Sequence, residues 1–159
     1  MHEWHDFFMA EVGASAALVG LLFVALSINI ARIVEDQLLP GRALQSLIAL
    51  ITALLLASVT LFPIPTLAQL GLALLVIVAG SIFFSGRIAI SQLAIKHDYH
   101  RLMVVDVALN AVFHACGATG ALLLMLSSGT GLYWIAIAIL YALCYGMLNA
   151  WVLLVEILR

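Results

Sequence analysis

The sequence predicts an all-α integral membrane bundle with five transmembrane helices, and three observations carry that reading. The first is composition: 159 residues, 66% hydrophobic, 9% charged, mean hydropathy +1.25. A water-soluble domain needs far more polar surface than this. The second is that the apolar residues fall into five stretches of the roughly 20 residues needed to cross a hydrocarbon layer about 30 Å thick. The third is the placement of the basic residues. All six Lys and Arg lie in two connections and at the last position: Arg32 and Arg42, then Arg87, Lys96 and Arg101, then Arg159.

The expected spans are 7–30, 43–62, 66–86, 102–127 and 132–155. The first lacks a basic leader, and its apolar run exceeds the core of about 7–15 residues typical of a cleaved signal, so it is read as retained. The second and third carry no charge between Ala43 and Gly86 and are separated by Phe62-Pro63-Ile64-Pro65, where two prolines forbid helix continuation. The fourth and fifth are separated by a small polar reversal, Ser127-Ser128-Gly129-Thr130-Gly131. Helices are expected because backbone groups in hydrocarbon must be satisfied internally. The alternation over about ten residues that marks a membrane β-barrel is not visible. The connection 87–101, with Ile88-Ala89-Ile90 and Leu93-Ala94-Ile95, reads either as a helical extension of the third span or as an amphipathic interfacial piece. Trp4, Tyr99 and Tyr133-Trp134 fall where interfacial aromatics are expected. No linker or internal repeat divides the chain, so residues 1–159 are read as one bundle.

An odd number of spans puts the termini on opposite sides. The Lys/Arg bias assigns 31–42, 87–101 and the C-terminus to the cytoplasm, and the N-terminus and both reversals to the outside. Glu3, Asp6 and Glu11 are the only formal charges near the N-terminus, in keeping with that assignment. Cys116 and Cys144 fall inside spans and are read as small hydrophobes rather than a disulfide framework.

Helices in lipid gain little from the hydrophobic effect and associate through small residues and interhelical hydrogen bonds. Ala138, Ala142, Gly146 and Ala150 recur every four residues and share one face of the fifth span. Gly13, Ala17, Gly20 and Ser27, spaced four, three and seven residues apart, also share one side of the first span. Both faces suit helix contact, either within one monomer or between subunits.

Polar groups inside spans are costly and are candidates for function. Asp106, Asn110 and His114 lie at i, i+4 and i+8 on the fourth span. Tyr141, Tyr145 and Asn149 have the same spacing on the fifth, with Glu156 beyond. Counting depth from the basic ends pairs Asn110 with Asn149 and His114 with Tyr145, and brings Asp106 near Arg32. These ladders are either interhelical hydrogen bonds or a hydrated, proton-conducting path in which His114 changes charge near neutral pH. In the second reading Asp106 sets a cation preference, and Glu11 is an outer vestibule charge.

The remaining ionisable clusters are weaker. His2, Glu3, His5 and Asp6 form a divalent-metal pattern, but a solvated terminus explains them better. His97-Asp98-Tyr99-His100 has two imidazoles but no third ligand at diagnostic spacing, so no metal and no cofactor is expected. Bis-histidine haem is disfavoured because only His114 lies well inside a span. No zinc-protease, phosphate-loop or nucleophile-elbow motif is present, so no enzyme is expected. A net charge of −2 gives no reason to expect a nucleic acid partner.

Trp4-His5-Asp6-Phe7-Phe8, followed by Gly13-Ala14-Ser15-Ala16-Ala17-Leu18-Val19-Gly20-Leu21-Leu22-Phe23-Val24-Ala25-Leu26-Ser27-Ile28-Asn29 and Leu39-Pro40-Gly41-Arg42-Ala43, resembles a group of small bacterial membrane proteins of unknown function. Members of that group are loosely labelled modulators of the FtsH protease. The resemblance implies a bacterial inner-membrane protein and supplies no established active site. The stretch from Ser15 to Ala25 is also similar to the pore helix of Orai calcium channels, where small and apolar residues line a ring. Here Ile28 stands where the selectivity glutamate would fall, and the predicted direction across the membrane is opposite. The resulting expectation is a homo-oligomeric ion or proton channel in contact with lipid, with a non-transporting partner of another membrane complex as the alternative.

Overall fold

The computed structural model describes residues 2–36, 39–93 and 100–157. Six helices follow in order: α1 His2–Ile28, α2 Ile30–Glu35, α3 Leu39–Thr60, α4 Leu67–Leu93, α5 His100–Met125 and α6 Gly131–Ile157. Five of them are long and apolar enough to cross a membrane. No strand occurs among the described residues. The chain is therefore an all-α bundle that fits a small multi-pass membrane protein.

Local chemistry accounts for the ends. Asn29 breaks the first helix, its amide donating back to the Ala25 carbonyl at 2.9 Å, and α2 turns away from there. The Asp36 carboxylate accepts the Leu39 N–H at 3.1 Å and caps α3. Pro40 follows in the first turn, where its missing N–H costs nothing. Past Thr60 the chain reverses through the two prolines, and Thr66 caps α4 by accepting the Gln69 N–H at 3.3 Å. α5 closes with the Ser128 N–H on the Leu123 carbonyl and the Ser127 N–H on the Leu124 carbonyl. Ser127 itself is left-handed, with φ 59°, so this is a Schellman ending with serine at the position glycine prefers.

The third span outruns its expected end at residue 86. α4 passes Arg87 and continues to Leu93, so the first part of the basic connection is a helical extension. Arginine is a good helix former; a charge ends the contact with lipid, not the helix. Residues 94–99, including Lys96 and His97-Asp98-Tyr99, lie outside the described residues.

Helices α3, α4, α5 and α6 close a ring, each packed on the next and α6 returning to α3. α1 lies outside that ring, chiefly against α3 and to a lesser extent α6. At its start Trp4 meets Tyr133 edge-on, with ring centroids 4.7 Å apart. At its far end α2 folds Ile33 onto Leu39 and Ala43. The antiparallel order gives the bundle a basic end, marked by Arg32, Arg42 and Arg87, and a turn end, marked by the two short reversals.

The half of the ring nearer the turn end is apolar. Leu56 and Ala57 of α3, Leu70 and Leu74 of α4, Ala121 and Leu124 of α5, and Leu132, Ile135 and Ile139 of α6 are all buried there. Glycines let the backbones approach. A Cβ placed on Gly131 would lie 2.6 Å from the Gly120 carbonyl, and one on Gly146 would lie 2.7 Å from Leu50.

The small-residue stripes have different fates. On α6, Ala138 and Ala142 are fully buried, Gly146 faces Leu50, and Ala150 is half-buried. On α1, nothing lies within 4 Å of where a side chain on Gly13 or Gly20 would begin, and Ala17 and Ser27 are exposed. The seam by which α1 meets the ring runs instead through Phe8, Ser15 and Leu22, which are buried.

Candidate functional site

The polar side chains of α5 and α6 meet inside the ring, nearer its basic end. The Tyr145 hydroxyl donates to Asp106 Oδ1 at 2.8 Å, and Asn149 Nδ2 approaches the same oxygen at 3.3 Å. Asn110 Nδ2 donates to the Tyr145 hydroxyl at 3.4 Å. Asp106 thus accepts two donors from the neighbouring helix, the satisfaction that a carboxylate among helices requires.

This pairing is one turn away from the one that depth counting predicts. The reason lies at the turn end, where the backbones touch. A Cβ on Gly117 would lie 3.9 Å from that of Ala138, and one on Gly120 would lie 2.9 Å from Ile135. Continuing that antiparallel register pairs Asn110 with Tyr145 and Asp106 with Asn149. Close packing of small residues, not the level of the helix ends, sets which polar groups meet.

His114 bonds back to its own helix and across to α4. Its Nδ1 lies 2.8 Å from the Asn110 carbonyl, which can only accept, so Nδ1 carries a proton. Its Nε2 lies 3.0 Å from the Ser81 hydroxyl of α4. Ser81 is 2.9 Å from the Thr52 hydroxyl of α3, which is 2.7 Å from the Ile48 carbonyl. Proton bookkeeping gives this row two consistent polarities. With a neutral ring, Ser81 donates to Nε2 and Thr52 donates to Ser81. With an imidazolium, Nε2–H donates to Ser81, Ser81 to Thr52, and Thr52 to the Ile48 carbonyl. Neither arrangement leaves a donor unmatched.

His114 and Asn110 are buried, at 8% and 6% exposure, and all four ring helices contribute to the combined network. On the turn-end side of His114, α5 presents apolar residues to the core as far as Leu124, about 15 Å of helix. The network therefore ends against packed hydrocarbon.

Ser81 and Thr52 are the participants that sequence reasoning missed. Both sit in spans that carry no charge, although each is a buried polar residue with same-face polar companions: Ser85 one turn from Ser81, and Gln45 two turns from Thr52. The Gln45 Oε1 and Ser85 Oγ atoms are buried with no hydrogen-bond partner among the described residues.

The other sequence candidates are dispersed. Arg32 sits on α2, which packs on α3 and α1, whereas the hydrogen bonds recorded for the Asp106 carboxylate come from α6. Glu11 lies on the α1 seam, half-buried, away from the network. His5 and Asp6 are exposed; the side chains of His2, Glu3, His100 and Glu156 lie outside the described residues. No group of three or more potential metal ligands gathers among the described residues. Cys116 is half-buried and Cys144 exposed, both as thiols.

No protein-family model, characterised protein or solved structure matches this chain.

Proposed function

We propose that this chain is the subunit of a homo-oligomeric membrane assembly whose copies meet along the outward face of α1. In this reading ions or protons permeate along the axis between subunits rather than through the ring of any one subunit. The observation that carries it is the unfilled stripe of Gly13, Ala17 and Gly20 on a helix already anchored to the ring by its other side. Only 17% of the α1 span is buried, against 50% for α3 and 56% for α6. Small residues in lipid exist to let another backbone approach. The apolar half of the ring argues against conduction through a single subunit, because a charge crossing it would be stripped of every polar partner.

Reconstitution into liposomes with particle imaging tests this. The expected result is a symmetric ring with ion flux that Gly13→Leu and Gly20→Leu abolish together with the ring. Flux from isolated monomers would overturn it. The alternative, a non-transporting partner in the bacterial inner membrane, uses the same α1 face. It predicts a stoichiometric foreign membrane protein on purification and no flux.

A second reading, proton movement along the interior network, is favoured by the two-way polarity of the row Thr52–Ser81–His114. His114→Phe separates the two. Flux through the α1 axis survives that substitution; flux through the network does not.

A further inference from the structure

The seam between α3 and α4 changes character along its length. On the α3 stripe that meets α4, Leu56 toward the turn end gives way to Thr52, Ala49 and Gln45. On the facing α4 stripe, Leu74 and Val78 give way to Ser81 and Ser85. Both stripes thus turn from apolar to small and polar toward the basic end. Thr52 and Ser81 bond each other, and Ser81 reaches His114. Gln45 is 1% exposed and Ser85 5%, yet neither Gln45 Oε1 nor Ser85 Oγ has a partner among the described residues.

Register places these two side chains in one stretch of the seam. At one end of it Thr52 bonds Ser81; at the other, a Cβ on Gly41 would run into the Gln92 side chain. Those contacts are eleven residues apart on each helix, so one antiparallel register holds between them. It sets Ser85 opposite Ile48 and Gln45 opposite Ile88, an offset of three residues, or about 4.5 Å along the axis. Ala49, 1% exposed, stands between Gln45 and Thr52, with a methyl group where the turn-end half of the stripe has Leu56. The two orphan oxygens border the same small-residue stretch without bonding each other. On α5, the register read from His114 on Ser81 and Gly117 on Val78 sets Asn110 opposite Ser85. Asn110 gives Nδ2 to Tyr145 and its backbone carbonyl to His114, which keeps the side-chain oxygen for a further donor.

Buried polar atoms left bare are costly in hydrocarbon. Whatever satisfies Gln45 Oε1 must donate, and whatever satisfies the Ser85 hydroxyl proton must accept. Water does both, and roughly two to four polar partners hold it. A metal ion cannot accept that proton. It would also find no charge on either helix between Ala43 and Gly86, and too few oxygens for the roughly six to eight that a hard cation such as calcium takes.

We propose that the α3–α4 seam holds a bound water between Gln45 and Ser85, which extends the Thr52–Ser81–His114 row toward the basic end. The water donates to Gln45 Oε1 and accepts from Ser85, with the Asn110 amide oxygen as its third partner. Ser85 is one turn from Ser81, and Gln45 is six residues, about 9 Å, from the start of α3 at Leu39. The row therefore approaches the basic end, while its other side stays sealed by packed leucines. As an entrance for protons the water rests on the interior-network reading; as a binding site it does not.

Solid-state NMR of the full-length protein in liposomes, with magnetisation started on water protons, reads the site directly. The Gln45 side-chain carbonyl and Ser85 Cβ signals should build up severalfold faster than the side-chain signals of Leu56 and Leu74. Gln45→Met should slow the Ser85 build-up severalfold. Gln45 and Ser85 rising no faster than those leucines, or Ser85 unchanged in Gln45→Met, overturns the proposal. Thermal unfolding in detergent is the second readout. Gln45→Met should lower the transition by about 2–4 °C, because a satisfied oxygen and its water are lost. A rise overturns the proposal, since removing a bare buried oxygen is stabilising. A wild-type transition raised by sodium chloride and not by choline chloride also overturns it, putting a metal ion in the water's place. None of these readouts involves flux, so failure of the water site and failure of the interior-network reading are distinguishable.

Discussion

Helices α6 and α1 present the same motif, small residues recurring on one face, and the fold treats them in opposite ways. On α6 the stripe is filled from within the molecule: Ala138 and Ala142 are buried, and Gly146 lies against Leu50. On α1 the stripe is left open, while bulkier Phe8 and Leu22 anchor the helix from the other side. Helical spacing says which residues share a face. It does not say which faces are already occupied, because occupancy is decided by three-dimensional closure, and four helices suffice to close a ring.

The sharpest way to break this contrast is to add the same bulk to both. Gly146→Leu forces a side chain into Leu50 and should destabilise the bundle by about 3 kcal/mol, towards the upper end of typical overpacking costs. In the monomer dispersed in detergent, Gly13→Leu meets open space and should change stability by less than about 0.5 kcal/mol, as exposed substitutions usually do. Thermal unfolding in detergent measures both. Equal losses would mean that α1 is packed on both sides within one chain.

A smaller effect tests the interior that α6 helps to build. Tyr145→Phe removes the hydroxyl that Asp106 and Asn110 share. The expected cost is about 1–3 kcal/mol, since a half-buried carboxylate loses its shortest bond. The matching change on α1, Ser15→Ala, removes a hydroxyl with no partner among the described residues and should be nearly neutral for stability. Chemical denaturation of the purified protein would reveal whether the two differ.

The smallest change lies in the turn that brings α6 back beside α5. Ser127→Gly relieves a left-handed serine at φ 59° and should stabilise by about 0.5–1 kcal/mol, the steric gain being partly offset by a freer unfolded chain. A melting temperature that falls instead would show that the Ser127 side chain contributes something beyond the turn.

The five spans are legible in the sequence because hydrocarbon thickness and backbone satisfaction leave so few options. So is the polar face of α5, since Asp106, Asn110 and His114 stand out against apolar neighbours. The partners are harder. Ser81 and Thr52 complete the His114 row from helices whose composition looks featureless, and small hydroxyls in lipid-facing spans often bond their own backbone instead. The offset of Asn110 from Asn149 is a register effect, set by glycine contacts that a single helix does not reveal.

That register makes the first turns of α6 a ruler. Inserting one residue between Gly131 and Ala138 would swing everything downstream by about 100° around the helix axis. Tyr145 would then leave Asp106 while Gly131 still met Gly120. The link at residues 126–130 can absorb an added residue as loops do; the helix after it cannot, and a chain that kept every ladder residue but lengthened α6 there would assemble a different interior.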